Sequence, residues 1–554
     1  MKSSLRRFYL LIVLIVLTIP GTLVAQLNTG GLPYSFSRAI APDNDQSITA
    51  EPPAAALLAK EDEQAPLPYR FAVNLPVDLG IETSGQWVKT SDGIKVWRLN
   101  VKSPGALALI LYFDRFHIPE GGKIFVYNTL RTQLLGAFTS LNNNTLSTFA
   151  TSLIYGDELT LEYNAPEGIP LPELHVSEVG HAYRGVADYT GMKSGFGNSG
   201  PCEVNVNCAE GKFWQNQKRS VTRITVKRGG VSVWCTGSLV NNVRNDGTPY
   251  VITADHCGKN ATETDLSQWI FYFNYEGSAC PDPSSEPLLK SITGATLVAH
   301  GGEAATTGSD FFLVLLSTPV PPAFNAYYEG WSRENVPASP SGVGIHHPMG
   351  DIKKISTYSS ALQQAHWVGN PALAHWRVFW NETSNGHGTT EGGSSGSPLY
   401  NNEGLLVGTL TGGDSSCDSA SLNLPDYFGM FSYSWDQNGT ECINQLKCWL
   451  DPDNTGVRKL NGWSVGIEEV TKAVSISVFP NPVADQLNLK STGFDGQKLN
   501  LAITDILGNQ KLLIDWNVDS AREKQVNVSA LPKGVYFVTI SNGEHLLVRK
   551  FVKQ

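Results

Sequence analysis

The eight cysteines are the feature that most constrains how this 554-residue chain folds. All of them lie between Cys202 and Cys448, and none occurs before or after that segment. In an exported chain, an even number of cysteines confined to one segment is typical of a domain held together by disulfides. Zinc is the competing interpretation, but no CxxC or HxxxH pair occurs near them, so we predict neither a metal nor another cofactor.

The N-terminus has the pattern of an export signal. Three basic residues precede an apolar run from Phe8 to Ile19, and Leu23-Val24-Ala25 offers a small-residue cleavage site. The apolar run is shorter than the roughly 18–20 residues that span a bilayer. We therefore expect residues 1–25 to be a signal peptide and the protein to be exported.

The composition favours a β-rich extracellular protein. Charged residues make up only 17% of the chain, and there are 53 glycines and 31 prolines, a mixture that suits short strands and turns better than long helices. The formal net charge of −10 supplies no basic surface, so we expect no nucleic-acid partner.

The pattern along the chain divides it into further segments after the signal peptide. Residues 26–193 begin with what looks like a loose linker, up to about 66, and continue with short apolar runs and turns over about 68–190, as in a β-sandwich. The cysteine-bearing region, 194–465, is also dominated by short strands. A linker at 466–473 precedes a tail, 474–554, whose strand pattern predicts a small antiparallel, Ig-like sandwich.

One glycine-rich segment, Gly392 to Pro398, is suited to present a nucleophile. Gly393 and Gly396 lie on either side of Ser395 and can adopt backbone conformations closed to other residues, so the loop can curl and direct N–H groups into one space. Attack on a carbonyl needs an exposed hydroxyl beside such donors. Taken alone, a segment of this composition is most often an ordinary loop.

Two more residues supply the partners that a serine nucleophile needs, namely a base and a group that orients the base. His256 follows the apolar run 250–252 and stands next to Cys257. Asp310 opens the apolar run 311–316. By its spacing alone, Asp310 is either a turn residue or a buried charge with an assigned partner.

These segments together resemble the chymotrypsin-fold serine peptidases and, more closely, the bacterial lysyl endopeptidases. The order is His, Asp, Ser, with Thr-Ala-x-His-Cys around the first and Gly-x-Ser-Gly-x-Pro around the last. The matching segments are Pro201–Gly211, Cys235–Asn242, Ser309–Phe311, Ile345–Pro348, Gly393–Pro398, Gly412–Cys417 and Trp449–Pro452. The resemblance implies a chymotrypsin-like double β-barrel for residues 194–465.

The resemblance also implies a role for each catalytic candidate. Ser395 corresponds to the nucleophile, His256 to the general base and then acid, and Asp310 to the residue that orients the imidazole. The backbone N–H groups of Gly393 and Ser395 correspond to the oxyanion hole. His346 and His347 belong to the scaffold rather than to the site.

The family's disulfides correspond to three pairs here, Cys202–Cys417, Cys208–Cys280 and Cys235–Cys257. Cys442 and Cys448 have no counterpart in that pattern, and as the remaining two they are expected to form a fourth bridge.

Substrate selection depends on one further residue. A pocket that takes a lysine side chain needs a carboxylate at its base, because burying an unpaired ammonium is costly. Asp426 stands at the family's spacing for that acid, although an exposed turn aspartate is the alternative.

Trp367 falls where the family places an indole beside the catalytic histidine. Asp255, which is placed to raise the pKa of His256, and Thr411 each stand where a family member has histidine, which leaves arginine open as a second substrate.

The tail and the region before the first cysteine have resemblances of their own. The tail segments Val478–Val483, Asp485–Leu487, Asp505–Gly508, Leu531–Tyr536 and Lys550–Gln554 are similar to the C-terminal sorting domain of the type IX secretion system of Bacteroidetes. That resemblance implies the secretion machinery as a partner, export through both membranes, and then release or surface attachment. Residues 26–193 then correspond to a propeptide, which we expect the enzyme to remove by cleaving after Lys193.

These features together predict a secreted serine endopeptidase that cleaves protein or peptide substrates after lysine, without a cofactor and as a monomer when mature. One alternative is a trypsin-like or broader-specificity peptidase. Another is a surface adhesin built on a peptidase scaffold. The presence of His256, Asp310, Ser395 and Gly393 in one chain favours the enzyme over the adhesin.

Overall fold

The computed structural model describes residues 28–38, 47–64, 68–186, 197–302, 308–336, 338–464, 475–492, 498–505, 510–518, 523–541 and 546–554. The chain divides into two compact units, Met1–Trp463 and Ser464–Gln554. The expected signal peptide, the Lys193-Ser194 cleavage site and the 466–473 linker lie outside the described residues.

The first part of the large unit is a two-sheet β-sandwich. One sheet has the order β1-β4-β10-β6-β7, with β3 on β4, and the other contains β2-β11-β5-β8, with β9 on β5. Apolar side chains from both sheets fill the space between them. The strands are β1 (Ile48–Thr49), β2 (Arg70–Gly80), β3 (Gln86–Lys89), β4 (Ile94–Lys102), β5 (Ala108–His117), β6 (Lys123–Asn128), β7 (Leu134–Phe138), β8 (Phe149–Ala150), β9 (Ile154–Tyr155), β10 (Glu158–Pro166) and β11 (Glu173–Ala182).

The segment expected to be a loose linker is partly ordered by this sandwich. It contains the helices α1 (Tyr34–Ser37) and α2 (Ala55–Gln64) as well as β1. Leu58 of α2 is buried in the core of the sandwich. Asp62 of α2 accepts hydrogen bonds from Arg70 at 2.8 Å and from the Tyr183 hydroxyl at 2.9 Å. Tyr183 is 121 residues from Asp62 in the sequence, so composition alone did not predict this contact.

The cysteine-bearing part of the large unit contains two barrel-like sheets. The first has the strand order β16-β15-β12-β13-β14-β18-β17, and the second has the order β22-β21-β25-β26-β27-β24-β23. The strands are β12 (Val221–Arg228), β13 (Val231–Val240), β14 (Tyr250–Ala254), β15 (Ile270–Phe273), β16 (Lys290–Thr293), β17 (Ala295–His300), β18 (Phe311–Leu316), β19 (Tyr327–Tyr328), β20 (Trp331–Ser332), β21 (Gly342–His346), β22 (Lys354–Tyr358), β23 (Gln363–Ala365), β24 (His375–Val378), β25 (Pro398–Asn401), β26 (Leu406–Gly413), β27 (Asp426–Met430), β28 (Lys459–Leu460) and β29 (Trp463–Ser464).

Short helices connect these strands. They are α3 (Asp255–Gly258), α4 (Glu263–Ser267), α5 (Phe431–Asp436) and α6 (Lys447–Leu450). Four disulfides lie in the same region, Cys202–Cys417, Cys208–Cys280, Cys235–Cys257 and Cys442–Cys448. Among the described residues no helix is both long and apolar enough to cross a membrane.

The sandwich and the first barrel share one continuous sheet through β2 and β13. The first half of β13 pairs antiparallel with β2, with Val231 opposite Val73, while its second half pairs with β14. Phe71 of the sandwich stacks on Trp234 of the barrel, with the ring centroids 4.1 Å apart. The sandwich core therefore continues into the barrel.

The smaller unit is a β-sandwich, with seven strands in the segments that the structure describes. Its sheets have the orders β30-β31-β34 and β33-β32-β35-β36. Its buried apolar residues, among them Leu487, Leu501 and Trp516, form a core of their own. The strands are β30 (Ser475–Phe479), β31 (Gln486–Thr492), β32 (Lys498–Asp505), β33 (Gln510–Asn517), β34 (Glu523–Asn527), β35 (Gly534–Ser541) and β36 (Leu546–Lys553). The expected fold class is thus confirmed: mostly β, with a double-barrel peptidase region and a β-sandwich on each side of it in the sequence.

Candidate active site

His256 and Asp310 are brought together by two neighbouring strands. Because β14 and β18 are antiparallel, with Ala254 opposite Phe311, the end of one strand lies beside the start of the other. His256 Nδ1 is 2.8 Å from Asp310 Oδ2, and the backbone N–H of His256 donates to Asp310 Oδ1 at 2.9 Å. Asp310 is buried, so it is the partnered charge rather than the exposed turn residue that its spacing left open.

The surroundings of His256 raise its pKa above that of a free histidine side chain. Burial lowers the pKa of His256, but the charge of Asp310 and its hydrogen bond to the ring outweigh burial, so the pKa is raised overall. The charge of Asp255 acts in the same direction, and that of Arg228 opposes it. His256 Nε2 has no hydrogen-bond partner among the described residues, so it is available to accept a proton.

Ser395 lies next to the helix that carries His256. The Cys235–Cys257 disulfide joins β13 to that helix. The backbone N–H of Thr236 on β13 donates to the Ser395 carbonyl at 2.8 Å, and the same carbonyl is 3.8 Å from Cys257 Sγ. Within the described part of the chain, no hydrogen bond joins the Ser395 hydroxyl to His256 Nε2. Such a bond is often long before substrate binds.

The glycines on both sides of Ser395 have left-handed backbone conformations. Gly393 has a φ of 93° and Gly396 a φ of 81°, values that strongly favour glycine. A Cβ at position 393 would lie 3.0 Å from the carbonyl oxygen of His347, and one at position 396 would collide with Thr253. The tight curl that the sequence predicted for this loop therefore depends on both residues.

The backbone N–H groups in this loop alternate between paired and unpaired. The N–H of Ser394 donates to Glu391 at 3.0 Å, and that of Gly396 donates to Leu410 at 2.8 Å. For the N–H groups of Gly393 and Ser395, no acceptor is found among the residues that the structure describes. Two unpaired donors beside one hydroxyl are what a developing oxyanion requires.

His346 and His347 support the loop from behind. His346 Nδ1 is 2.8 Å from the Ser394 hydroxyl, and burial lowers the pKa of His346 to about 3. His347 Nδ1 is 2.9 Å from the carbonyl of Asp351, and burial lowers its pKa as well. Both rings are therefore neutral. Their positions agree with the expectation that they belong to the scaffold.

A cluster of Glu203, Glu391 and Cys417 has the spacing of a metal site. Cys417 is bonded to Cys202, so it has no thiolate to offer. Thr389 and the backbone of Gly200 donate hydrogen bonds to the two carboxylates. This donor set does not fit a metal.

Asp426 opens β27 and is fully buried, which rules out the exposed turn aspartate. Its Oδ2 accepts hydrogen bonds from Trp380 Nε1 at 2.6 Å, from the Thr390 hydroxyl at 2.8 Å and from the Ser415 hydroxyl at 2.6 Å. For Oδ1 the described residues supply one donor, the Ser415 N–H at 3.3 Å. Burial raises the pKa of Asp426, and these hydrogen bonds only partly offset it.

Gly413 lies directly opposite Asp426 in the β26–β27 pairing. A Cβ at position 413 would collide with Asp426 Oδ1, so glycine at this position makes room for the carboxylate itself. No ion pair of Asp426 is found among the described residues, so the structure holds a buried carboxylate with neutral donors alone.

Trp367 contacts a second histidine rather than His256. Its ring lies 6.0 Å from that of His375 and 5.5 Å from that of Tyr427, and no contact with His256 is recorded within the described residues. His375 Nε2 is 3.0 Å from the Thr411 hydroxyl. Burial lowers the pKa of His375 to about 4, while the nearby charge of Asp310 acts in the opposite direction.

The other departure from the family pattern, Asp255, also has a histidine partner. Its Oδ1 is 3.1 Å from His300 Nδ1. The hydrogen bond and charge of Asp255 raise the pKa of His300, although burial opposes them.

Sequence reasoning assigned no role to several residues that surround Asp426 and Trp367. Gly413 and Ser415 lie inside the matching segment Gly412–Cys417, so that segment was the signal that pointed to them. Trp380, Thr390 and His375 had no such signal, because each reaches the site only through strand pairing or loop closure.

Two family models match this chain. Residues 196–429 match the family described as "Lysyl endopeptidase, C-terminal domain", and residues 477–554 match the "Secretion system C-terminal sorting domain". The lysyl endopeptidase of Pseudomonas aeruginosa is 28% identical over 395 residues, which cover 67% of this chain and 82% of that protein.

Two solved structures are also similar to part of the chain. Protease Anisep from Arthrobacter nicotinovorans is 19% identical, with a TM-score of 0.26, and covers 38% of this chain and 90% of its own. The thermostable serine protease AL20 from an extremophilic microorganism is 13% identical, with a TM-score of 0.26, and covers 39% of this chain and 92% of its own.

The matched family models and the relative from Pseudomonas aeruginosa identify the chain as a secreted serine endopeptidase. Within that class it is a lysyl endopeptidase-like hydrolase, and it carries a type IX secretion sorting domain at its C-terminus. That domain implies the type IX machinery as a partner and the extracellular space or cell surface as the destination. The adhesin alternative is set aside.

Proposed function

We propose that this endopeptidase cleaves on the carboxyl side of lysine through a triad of Ser395, His256 and Asp310. The observation that carries the proposed specificity is the buried carboxylate of Asp426, which has neutral hydrogen-bond donors and no ion-pair partner among the described residues. A carboxylate buried in this way is stabilised by a bound cation. Thr390 donates to Asp426 only a few residues before Ser395, so the acid lies close to the nucleophile loop.

In the proposed mechanism, His256 Nε2 takes the proton of Ser395 Oγ as that oxygen attacks the scissile carbonyl. The bond from His256 Nδ1 to Asp310 holds the ring in the tautomer that leaves Nε2 as the acceptor, and the carboxylate stabilises the imidazolium that forms. His256 then protonates the leaving amine, and an acyl-enzyme remains on Ser395. A water molecule activated by the same nitrogen releases the new carboxyl terminus.

The oxyanion that forms in each step is proposed to lie against the N–H groups of Gly393 and Ser395. Support comes from the absence of an acceptor for either group among the described residues, while the neighbouring N–H groups of Ser394 and Gly396 are paired. Loss of one such donor typically costs about 3 kcal/mol of transition-state stabilisation.

The nucleophile is tested by Ser395→Ala. We expect turnover to fall on the order of 10⁶-fold, because the base and oxyanion donors have no nucleophile to act with. The far-UV circular dichroism spectrum and melting temperature should remain those of the parent, since the hydroxyl makes no hydrogen bond to His256. A folded Ser395→Ala protein that still cleaves peptides would overturn the mechanism.

The specificity is tested by Asp426→Asn and a peptide library. We expect the variant to lose its preference for lysine, because an amide offers no charge to the substrate ammonium. Cleavage after uncharged residues at the parental rate would show that the catalytic machinery is intact. If the variant retained full lysine preference, a trypsin-like or broader pocket with another basis for selection would replace this proposal.

We further propose that residues 26–193 are a propeptide that covers the site until the enzyme cleaves after Lys193. Support comes from β2, which pairs with the half of β13 that precedes Thr236, the donor to the Ser395 carbonyl. Tyr69 also lies on the loop, since a Cβ at Gly392 would be 2.8 Å from its ring. We therefore propose that removal of the sandwich frees the nucleophile loop for a peptide substrate.

N-terminal sequencing of the active enzyme tests the maturation site. We expect the mature chain to begin at Ser194 and the Ser395→Ala protein to remain uncleaved. A mature start far from Ser194, or normal processing of Ser395→Ala in isolation, would contradict self-cleavage after Lys193.

A further inference from the structure

The two oxygens of the Asp426 carboxylate have very different surroundings. Oδ2 accepts all three side-chain hydrogen bonds, from Trp380, Thr390 and Ser415. Within the described part of the chain, Oδ1 accepts one hydrogen bond, a backbone N–H at 3.3 Å, so it keeps capacity to accept more. One oxygen is therefore saturated, and the other is available to a ligand.

Of the three side chains that donate to Oδ2, Trp380 is the one that is held in place by packing. Its side chain is buried, its ring lies edge-on to Phe428 at 6.0 Å, and a Cβ at Gly344 would lie 2.9 Å from the far edge of the indole. The Thr390 and Ser415 hydroxyls can rotate to other acceptors, whereas an indole N–H can move only with the whole ring. The indole therefore keeps its hydrogen bond to Oδ2 when the two hydroxyls turn to other acceptors.

We propose that Trp380 makes this pocket select lysine over arginine by occupying Oδ2 and leaving Oδ1 as the single oxygen for the substrate cation. A guanidinium binds a carboxylate best through two parallel N–H···O bonds, one to each oxygen. An ammonium is a compact charge that is satisfied by one oxygen. With Oδ2 taken, arginine loses one of its two bonds and lysine loses none. This inference rests on the proposed role of Asp426 as the acid that binds the substrate.

The test is Trp380→Phe, assayed on two peptides that differ only in lysine or arginine before the scissile bond. We expect the ratio of kcat/KM for arginine over lysine to rise about tenfold, because Oδ2 becomes available for the second guanidinium bond. The matched control is Trp376→Phe, which removes another buried indole of the same sheet whose N–H donates to the Val407 carbonyl at 3.1 Å. The control should leave the ratio within about twofold of the parent.

Two outcomes would overturn the inference. One is a folded Trp380→Phe enzyme with the parental ratio, and the other is an equal rise in Trp376→Phe. If Trp380→Phe does not fold, Trp380→Leu provides a second test, because it also removes the N–H that donates to Oδ2 while keeping an apolar side chain. The ratio should again rise, and a folded Trp380→Leu enzyme with the parental ratio would overturn the inference.

Asp426→Asn, assayed on the same two peptides, separates this inference from the proposed function. If Asp426→Asn cleaves neither peptide while Trp380→Phe keeps the parental ratio, then Asp426 binds the substrate but Trp380 does not select lysine over arginine. If Asp426→Asn cleaves the lysine peptide at the parental rate, the roles proposed for Asp426 and for Trp380 are both wrong.

Discussion

Asp310 uses both of its carboxylate oxygens on His256, one on the ring and one on the backbone N–H. This arrangement fixes the ring and also raises its pKa, because the carboxylate charge and hydrogen bond outweigh burial. A general base has to be neutral to accept a proton, so the raised pKa shifts the rise of activity towards higher pH.

We therefore predict that kcat/KM rises with pH through a pKa above the ordinary value of 6.5 for histidine. Asp310→Asn removes the charge that raises this pKa, so the residual activity should rise at lower pH and its rate should fall by about 10⁴-fold. A pH–rate profile of both proteins measures the two effects. An unchanged midpoint in Asp310→Asn would contradict the electrostatic cause.

The residues at the site differ in how far the sequence alone could predict them. His256, Asp310 and Ser395 lie in motifs whose order was recognisable. The burial of Asp426 was not, because its environment comes from Trp380 and Thr390, which are distant in sequence and meet it only when β24 pairs with β27 and the loop closes. The contact that Trp367 makes with His375 was likewise invisible before folding.

At the level of elements, the nucleophile loop is held in shape by its two glycines. Gly396 combines a φ of 81° with close contacts to Thr253 and the β14 backbone. A side chain there suffers both left-handed strain, about 1–2 kcal/mol, and a collision inside the core, about 1–3 kcal/mol.

We predict that Gly396→Ala lowers the free energy of unfolding by about 2–5 kcal/mol. The matched control is Gly229→Ala in the β12–β13 turn, where φ is 55° but no atom lies within 4 Å of the added methyl. The control should lose only the strain component, about 1–2 kcal/mol. Urea unfolding in a Ser395→Ala background, which prevents self-digestion, measures both. Equal losses in the two variants would show that the collision is relieved.

Most strands could be predicted as elements, but not their partners. The short apolar runs over about 68–190 indicated strands there, and β4, β6 and β10 are among those that the structure contains. The sequence did not indicate that β2 would join β13 in one sheet, since that pairing links residues about 160 positions apart.

At the scale of the whole molecule, the N-terminal sandwich shares its core with the first barrel. Trp234 stacks on Phe71, and Tyr272 and Ile352 of the peptidase region belong to the same buried cluster. Without the sandwich, these side chains and the outer half of β13 lose their cover, and an uncovered strand edge and apolar patch promote misfolding.

We predict that residues 194–465 expressed alone give about tenfold less active enzyme than the same segment refolded with residues 26–193 added as a separate chain. An added chain carrying Phe71→Ala should restore less, because the stack on Trp234 is lost. Titration of active sites with a serine-directed phosphonate measures the yields. Equal yields with and without the sandwich would show that the barrel folds unaided.

The Cys235–Cys257 disulfide ties the strand that holds the Ser395 carbonyl to the helix that carries His256. Thiols stay reduced in the cytoplasm and oxidise only after export. A newly made chain that stays inside the cell therefore lacks the covalent link between β13, whose Thr236 holds the Ser395 carbonyl, and the helix that carries His256. The frame around these two residues is completed only in the oxidising environment outside the cytoplasm.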